Sequence, residues 1–358
     1  MKTLGWRAGA VTVLVATAIS ATALAAVSGT THKVSGTEYL QAAGCPSTGS
    51  CIAVGAGLVN KENQSTGVYV DVSGGKPGTA HGLTGTTDIN HVACPKANDC
   101  IAVGNALSGT SNYAVYVVFS HGKPGAVEKL GLEDAASIGC GSSDSCWVPG
   151  AECSSNGAKC TNKVVHLVDG KVAKTYSEQG TYSFSAGEGG GATPACSSAT
   201  SCLLAGTAKP GIGPGVIFSL SDGKVKILHR VSGTSAISGL DCTSKSYCTV
   251  VGYEANSTGT KGKVFTLSGT KLGTPKTVNA SLYPLACRSA SACYSFGEQV
   301  VPHSTTGQPV VVTIDKGRPG SPQKISPDVL GATCTSKLCL GVGEEGEYPS
   351  QEGAVFSF

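Results

Sequence analysis

Seven times along the chain two cysteines bracket a short segment, and a glycine follows four residues after the second, as in Cys94–Gly104 (C-P-K-A-N-D-C-I-A-V-G). The pairs are Cys45 and Cys51, Cys94 and Cys100, Cys140 and Cys146, Cys196 and Cys202, Cys242 and Cys248, Cys287 and Cys293, and Cys334 and Cys339; only the last is one residue tighter. The glycines are Gly55, Gly104, Gly150, Gly206, Gly252, Gly297 and Gly343. One offset kept in every copy, at a spacing of about 48 residues, marks a repeat architecture.

Each repeat reads as strands. One runs into the first cysteine, as in Ile89–Ala93, and a second starts at the second cysteine, as in Ile101–Val103. After a variable loop comes a β-branched and aromatic run such as Val115–Phe119. Turns of the type Gly122-Lys123-Pro124-Gly125 or Asp222-Gly223-Lys224 lead into a more polar fourth strand. Four antiparallel strands per unit and almost no helical periodicity predict an all-β fold, a single seven-bladed β-propeller. The repeats begin near residues 38, 88, 134, 190, 236, 281 and 328. The last stops after its third strand, at Ala354–Phe358, whereas the N-terminal side has a strand to spare. His32–Thr37 stands as far before Cys45 as the matching His229–Thr234, the end of an outer strand, stands before Cys242. The N-terminal copy is therefore expected to complete the last blade and close the ring.

Residues 1–25 read as a cleaved export signal: Lys2 and Arg7, then an uncharged apolar run, then Ala23-Leu24-Ala25. The expected mature chain, 26–358, is one domain, secreted and extracellular, with no stable membrane insertion. Losing Lys2 and Arg7 from 26 bases leaves 24 against 23 acids. So even a balance argues against a nucleic-acid partner, which calls for concentrated basic charge. After an export signal, sixteen cysteines in regular pairs read as disulfides, and neither a metal nor a cofactor is expected. Cysteines six apart face each other across the hairpin of strands one and two, where opposed Cα atoms lie about 4.5–5.5 Å apart. Each such short staple stabilises its blade by roughly 2–2.5 kcal/mol. The remaining two, Cys153 and Cys160, fall in one variable loop and are expected to bridge it.

The loops between strands two and three vary most, and variable loops on a rigid scaffold are where binding usually resides. Acids gather on the last three of these loops: Glu254, Glu298, Glu344, Glu345 and Glu347, beside Tyr253, His303 and Tyr348, with Tyr113 on an earlier one. Aromatic rings beside carboxylates suit a sugar or a basic protein surface. Catalytic signatures are scarce. Arg230, Arg288 and Arg318 fall on different faces and cannot clamp a substrate carboxylate together, and the Ser-x-x-Lys matches at Ser120 and Ser221 lie on turns. Channel candidates are Asn90, His91, Asp241 and Tyr283; a lone channel histidine is more often structural than catalytic.

The C-x5-C-x-A-V-G units with their Gly-Lys-Pro-Gly or Asp-Gly-Lys turns resemble those of secreted actinobacterial propeller proteins. Those carry a C-x5-C-x-A-V-G…D-G-x-x-W repeat, distantly similar to sialidase-type Asp-box propellers; the tryptophan after the turn is missing from every repeat here. Some secreted Streptomyces propellers of this kind are similar to the lectin-like subunits of umbrella toxin particles, where the propeller is a spoke-tip adaptor docked on a scaffold partner. The resemblance implies a non-catalytic binding subunit whose variable-loop face takes a glycan or another secreted protein. The alternatives are a secreted hydrolase or lyase, acting on a glycan or antibiotic at the channel, and a purely structural envelope protein.

Overall fold

The structure, a computed structural model, describes residues 26–60, 64–109, 111–142, 144–153, 160–178, 180, 182–184, 193–208, 213–256, 259–301, 307–347 and 350–358. Within them seven antiparallel sheets follow one another, each ordered from an inner to an outer strand. Blade one is Thr37–Gly44, Ser50–Gly57, Gly67–Ser73 and Lys76–Gly82. Blade two is Asp88–Lys96, Asp99–Ser108, Ser111–Ser120 and Lys123–Lys129. Each inner strand touches the next around the ring, and that of blade seven, Asp328–Cys334, touches that of blade one. The molecule is a seven-bladed β-propeller.

The chain ends meet in blade seven. Thr30–Val34 lies antiparallel on Glu352–Ser357, with Val34 opposite Gly353, so the outer strand comes from the N-terminal side. The shared sequence behind this pairing is a corner. In Val34–Thr37, Leu83–Thr86 and Val231–Thr234 a buried threonine hydroxyl donates to the carbonyl three residues back, at 2.6, 2.7 and 2.7 Å. The Thr37 and Thr234 hydroxyls then accept the amides of Gly353 and Gly215, each at 3.1 Å, tying the corner to the third strand of the same blade. The residue before the threonine is Gly36, Gly85 or Gly233, with φ of 85°, 90° and 72°, a region that only glycine enters without strain.

The seven glycines after the second cysteines serve a different purpose. None of them has positive φ. A Cβ at any of them would fall between 1.7 and 2.3 Å from a carbonyl oxygen of the inner strand or its approach, that of Tyr39, Asp88, Asp134, Ser183, Ala236, Ser281 or Asp328. Just beyond this contact the inner strand bulges in blades one, two, five and seven, with Gln41, Asn90, Ser238 and Leu330 as the extra residues.

Between the blades lie seven apolar clusters, one per interface. Ile52 and Val54 of blade one meet Ile89, Ala102 and Phe119 of blade two. Trp147 and Val164 of blade three meet Leu204 and Phe218 of blade four. Each large side chain so buried contributes about 1.5–3 kcal/mol. Trp147 also donates its indole N–H to the Ala199 carbonyl at 2.8 Å, and His166 stacks on its other face at 4.0 Å.

Among the described residues all seven hairpin disulfides are formed. Their Cα atoms stand 3.8–4.1 Å apart, nearer than the spacing expected of opposed strand residues. In blades three to six the opposed cysteines sit one step before a bulge, at the narrow end of a hairpin. The backbone sets Cys153 opposite Cys160, but their side chains lie outside the described residues. So many disulfides suit an oxidising compartment. No helix among the described residues is long and apolar enough to cross a membrane.

Replacing Gly104 or Gly297 with alanine is expected to lower stability by about 1–3 kcal/mol, because the new methyl overlaps backbone that cannot turn aside. Gly49→Ala, where nothing lies within 4 Å and φ is ordinary, is expected to be neutral or to stabilise by up to about 1 kcal/mol. Urea unfolding with the disulfides intact measures both.

Candidate functional site

The inner strands surround a channel. At the disulfide face it opens into a cavity of about 520 Å³, walled by small residues such as Gly44, Ala93, Gly139, Ala195 and Ala286 and by one acid, Asp241. Further in it narrows to about 60 Å³ between Gln41, His91, Ser238, Pro284 and Leu330. The His91 ring donates to the Ala136 carbonyl of blade three, and burial still pushes its pKa down to about 4, so the ring is neutral at neutral pH. Asp241 accepts the amide of Cys287, in the next blade, at 2.7 Å, and that of Cys242. Burial outweighs both bonds and lifts its pKa to about 6. Tyr283 stands edge-on to Tyr253, ring centres 5.7 Å apart, and Asn90 hydrogen-bonds Asp88. The four channel candidates are each engaged by a different neighbour.

On the variable-loop face the expected residues are also dispersed. Glu254 pairs with Lys263 at 2.9 Å in its own hairpin. Tyr113 lies under the Lys129 ammonium, 4.4 Å from the ring centre. Glu345 accepts from the Ser326 hydroxyl, and Glu347 is exposed. His303 and Tyr348 lie outside the described residues. Glu298 and Glu344, by contrast, belong to a larger group.

That group is an arc of carboxylates at the ends of the inner strands. Asp328 is pushed up to about 6, by burial first and then by the charge of Glu298. Glu344 is raised by burial and by Asp328 and Glu38; its Oε2 accepts from Gln351 at 3.2 Å. Asp88 is raised by burial although Asn105 and Thr87 donate to it at 3.0 and 3.2 Å. Asp134 is raised by burial, then by Asp88 and Glu133. Tyr39 goes up to about 12, through burial and then Asp88, Glu38 and Glu344. These mutual influences run from blade six through seven and one to three. The two ion pairs among the described residues, Lys163–Glu152 and Lys263–Glu254, include neither Asp88, Asp328 nor Glu344.

The same sector carries exposed aliphatic side chains at its loop tips: Leu58 and Val59 in blade one, Leu107 in blade two, Val300 and Val301 in blade six. Val300 is 61% and Leu58 55% exposed. Aspartate six residues before the first cysteine in three repeats (Asp88, Asp134, Asp328) is the sequence signal for the arc. Its meaning emerges only once the strand ends are seen to converge.

No family model matches the chain, and no curated protein is similar to it in sequence. Solved structures share the architecture. The β-propeller domain of the Trilobed protease from Pyrococcus furiosus superposes with a TM-score of 0.58 at 9% identity, over 89% of this chain and 92% of that one. YCF48, solved bound to a D1 peptide, gives 0.57 at 11% identity, over 94% and 98%. The acylaminoacyl peptidase of Pyrococcus horikoshii gives 0.58 at 10% identity, over 91% of this chain and 53% of the peptidase. At such identities the likeness is one of fold.

A carboxyl held near 6, against an ordinary 3.8, binds more protons in the folded than in the unfolded state between about pH 4 and 6. Its contribution is therefore most favourable below that window and is lost as pH rises through it. Asp328→Asn is expected to raise the melting temperature at pH 7, with the gain shrinking to nothing toward pH 4. His91, held low, acts with the opposite sign, which is why calorimetry of the variant against the parent at each pH, and not the parent's profile alone, measures the effect.

Proposed function

We propose that the protein is a secreted binding protein whose variable-loop face, over blades six, seven, one and two, holds a cationic, partly apolar segment of another secreted protein. The observation that carries this reading is the coincidence, on one sector, of carboxylates that pair with no cation among the described residues and of exposed aliphatic loop tips. Half-buried carboxylates without a basic neighbour are costly alone and are relieved by a lysine or arginine brought by a partner. Aliphatic tips around them supply the apolar rim that lets such a contact exclude water.

A protein ligand is favoured over a glycan because no aromatic side chain among the described residues is exposed as a stacking platform, and Tyr113 and Tyr253 are already engaged. That a propeller of this size is solved with a peptide, in YCF48, supports a single ring as a sufficient receptor. The adaptor subunit of a secreted toxin particle is one form of this reading, with a scaffold protein as partner. Chemistry at the channel has less support, since His91, Asp241 and Tyr283 are engaged separately.

The test is recovery of the tagged protein from its native culture fluid under mild conditions, with mass spectrometry of what accompanies it. A stoichiometric companion is expected. Its affinity should fall at least about tenfold for the triple change Asp88→Asn, Asp328→Asn and Glu344→Gln, and should weaken from pH 7 to pH 5 as the raised carboxyls take up protons. A companion retained by the triple variant, or none at all, overturns the reading.

A further inference from the structure

The outer strands of six blades begin with an exposed cation: Lys76, Lys123, Lys171, Lys224, Lys271 and Arg318. Each follows the turn between strands three and four, so all six stand at the perimeter of the disulfide face, opposite the acidic arc. Four more exposed cations, Lys96, Lys245, Arg288 and Lys337, project from the disulfide hairpins of that same face. None of the ten is in either ion pair found among the described residues. Fewer acids oppose them: Asp99, Asp144, Asp169, Asp222 and Asp315 in these turns and hairpins, Asp71 beside the Gly122 turn, and Asp241 in the channel mouth.

Lysine on an outer strand has an ordinary explanation, since it keeps bare sheet edges from pairing with other chains. That explanation accounts for lysines anywhere along the edge. It does not account for a cation at the first position of six outer strands, beside others such as Lys129, Lys174, Lys226 and Lys324 further along them, nor for the four on hairpins, which are not edges. The disulfide face thus carries an excess of cations in a chain whose overall balance is close to even. We propose that the disulfide face is a docking surface for a linear polyanion, a polymer with a phosphate or carboxylate on each unit, which leaves the variable-loop face pointing away.

A polymer fits better than a membrane, because the aliphatic tips of Leu58, Leu107 and Val300 are on the other face and, among the described residues, Val172 and Ile227 are the only large apolar side chains exposed on outer strands. A surface of that kind adsorbs by charge and does not insert. Nor is any Phe, Tyr or Trp among the described residues exposed there for the base stacking on which single-stranded nucleic-acid binders depend; His121 is the one exposed ring in these turns. Contacts of this kind draw their free energy from counterions released by the polymer, so they weaken steeply with salt.

Long-chain sodium polyphosphate is the probe, with binding followed by sedimentation of the full mature chain at increasing sodium chloride. The parent is expected to bind, with affinity falling on the order of a hundredfold or more between 50 and 200 mM salt. A variant with Lys76, Lys123, Lys171, Lys224, Lys271 and Arg318 all changed to Gln is expected to lose binding. A second variant, with Lys33, Lys129, Lys174, Lys261, Lys276 and Lys324 changed to Gln, removes equal charge elsewhere and is expected to retain most of it. All twelve side chains are exposed, so unchanged thermal melts are expected of both. No binding by the parent, or equal losses in the two variants, overturns the proposal. Binding to phosphatidylglycerol-containing vesicles without binding to polyphosphate overturns it too, in favour of a lipid surface.

Discussion

Once per blade the second strand passes over a carbonyl at or just before the start of the inner strand with no room for a side chain between them. Everything nearer the axis follows from that contact. Only glycine fits on the second strand, and the inner strand beyond it bulges in four of the blades. The bulged segments carry Gln41, His91, Ser238 and Leu330 into the neck of the channel and close it to about 60 Å³. The disulfide sits at the far end of the same hairpin. One end of each inner hairpin is thus held by close packing and the other by a covalent bond, leaving little freedom for the strand between them.

The same contact positions the candidate site. The carbonyl under the glycine belongs, in three blades, to an aspartate: Asp88, Asp134 and Asp328. Fixing their backbones sets their carboxyls along the rim of the variable-loop face, that of Asp328 beside Glu298 and Glu344. Raised pKa values in a buried acid usually mean a neighbouring like charge or an apolar wall, and here both act. The opposite face is governed by a different repeat, the turn into the outer strand, whose glycine is regularly followed by lysine or arginine. Two independent periodic features therefore give the two faces opposite charge.

Much of the fold was legible because its determinants are local and recur: the cysteine spacing, the glycine offset, the turns and the β-branched third strands. The role of the glycine was not, since nothing in Ile-Ala-Val-Gly says what lies above it. The loop acids were legible as a cluster, but Glu254 proved to be neutralised by Lys263 across its own hairpin. The more consequential acids, at the starts of inner strands, were overlooked because in sequence they are a repeat apart. The packing of successive blades makes them neighbours, and the closure of the ring adds the link from Glu344 of blade seven to Glu38 of blade one. His91 and Asp241 looked like channel chemistry by position, and each proved to be a strut between blades, to Ala136 and to Cys287.

The outer strand of blade seven has a consequence for how the molecule comes to exist. Thr30–Val34 is synthesised well before its partner, Glu352–Ser357. Until that partner is available the early strand has nothing to lie on, and the blades between them can form only an arc with two bare ends. A contact spanning nearly the entire chain is the slowest kind to make. The ring therefore behaves as a clasp whose two halves are made far apart in time, and without either strand it would be not a slightly smaller propeller but an unfastened one.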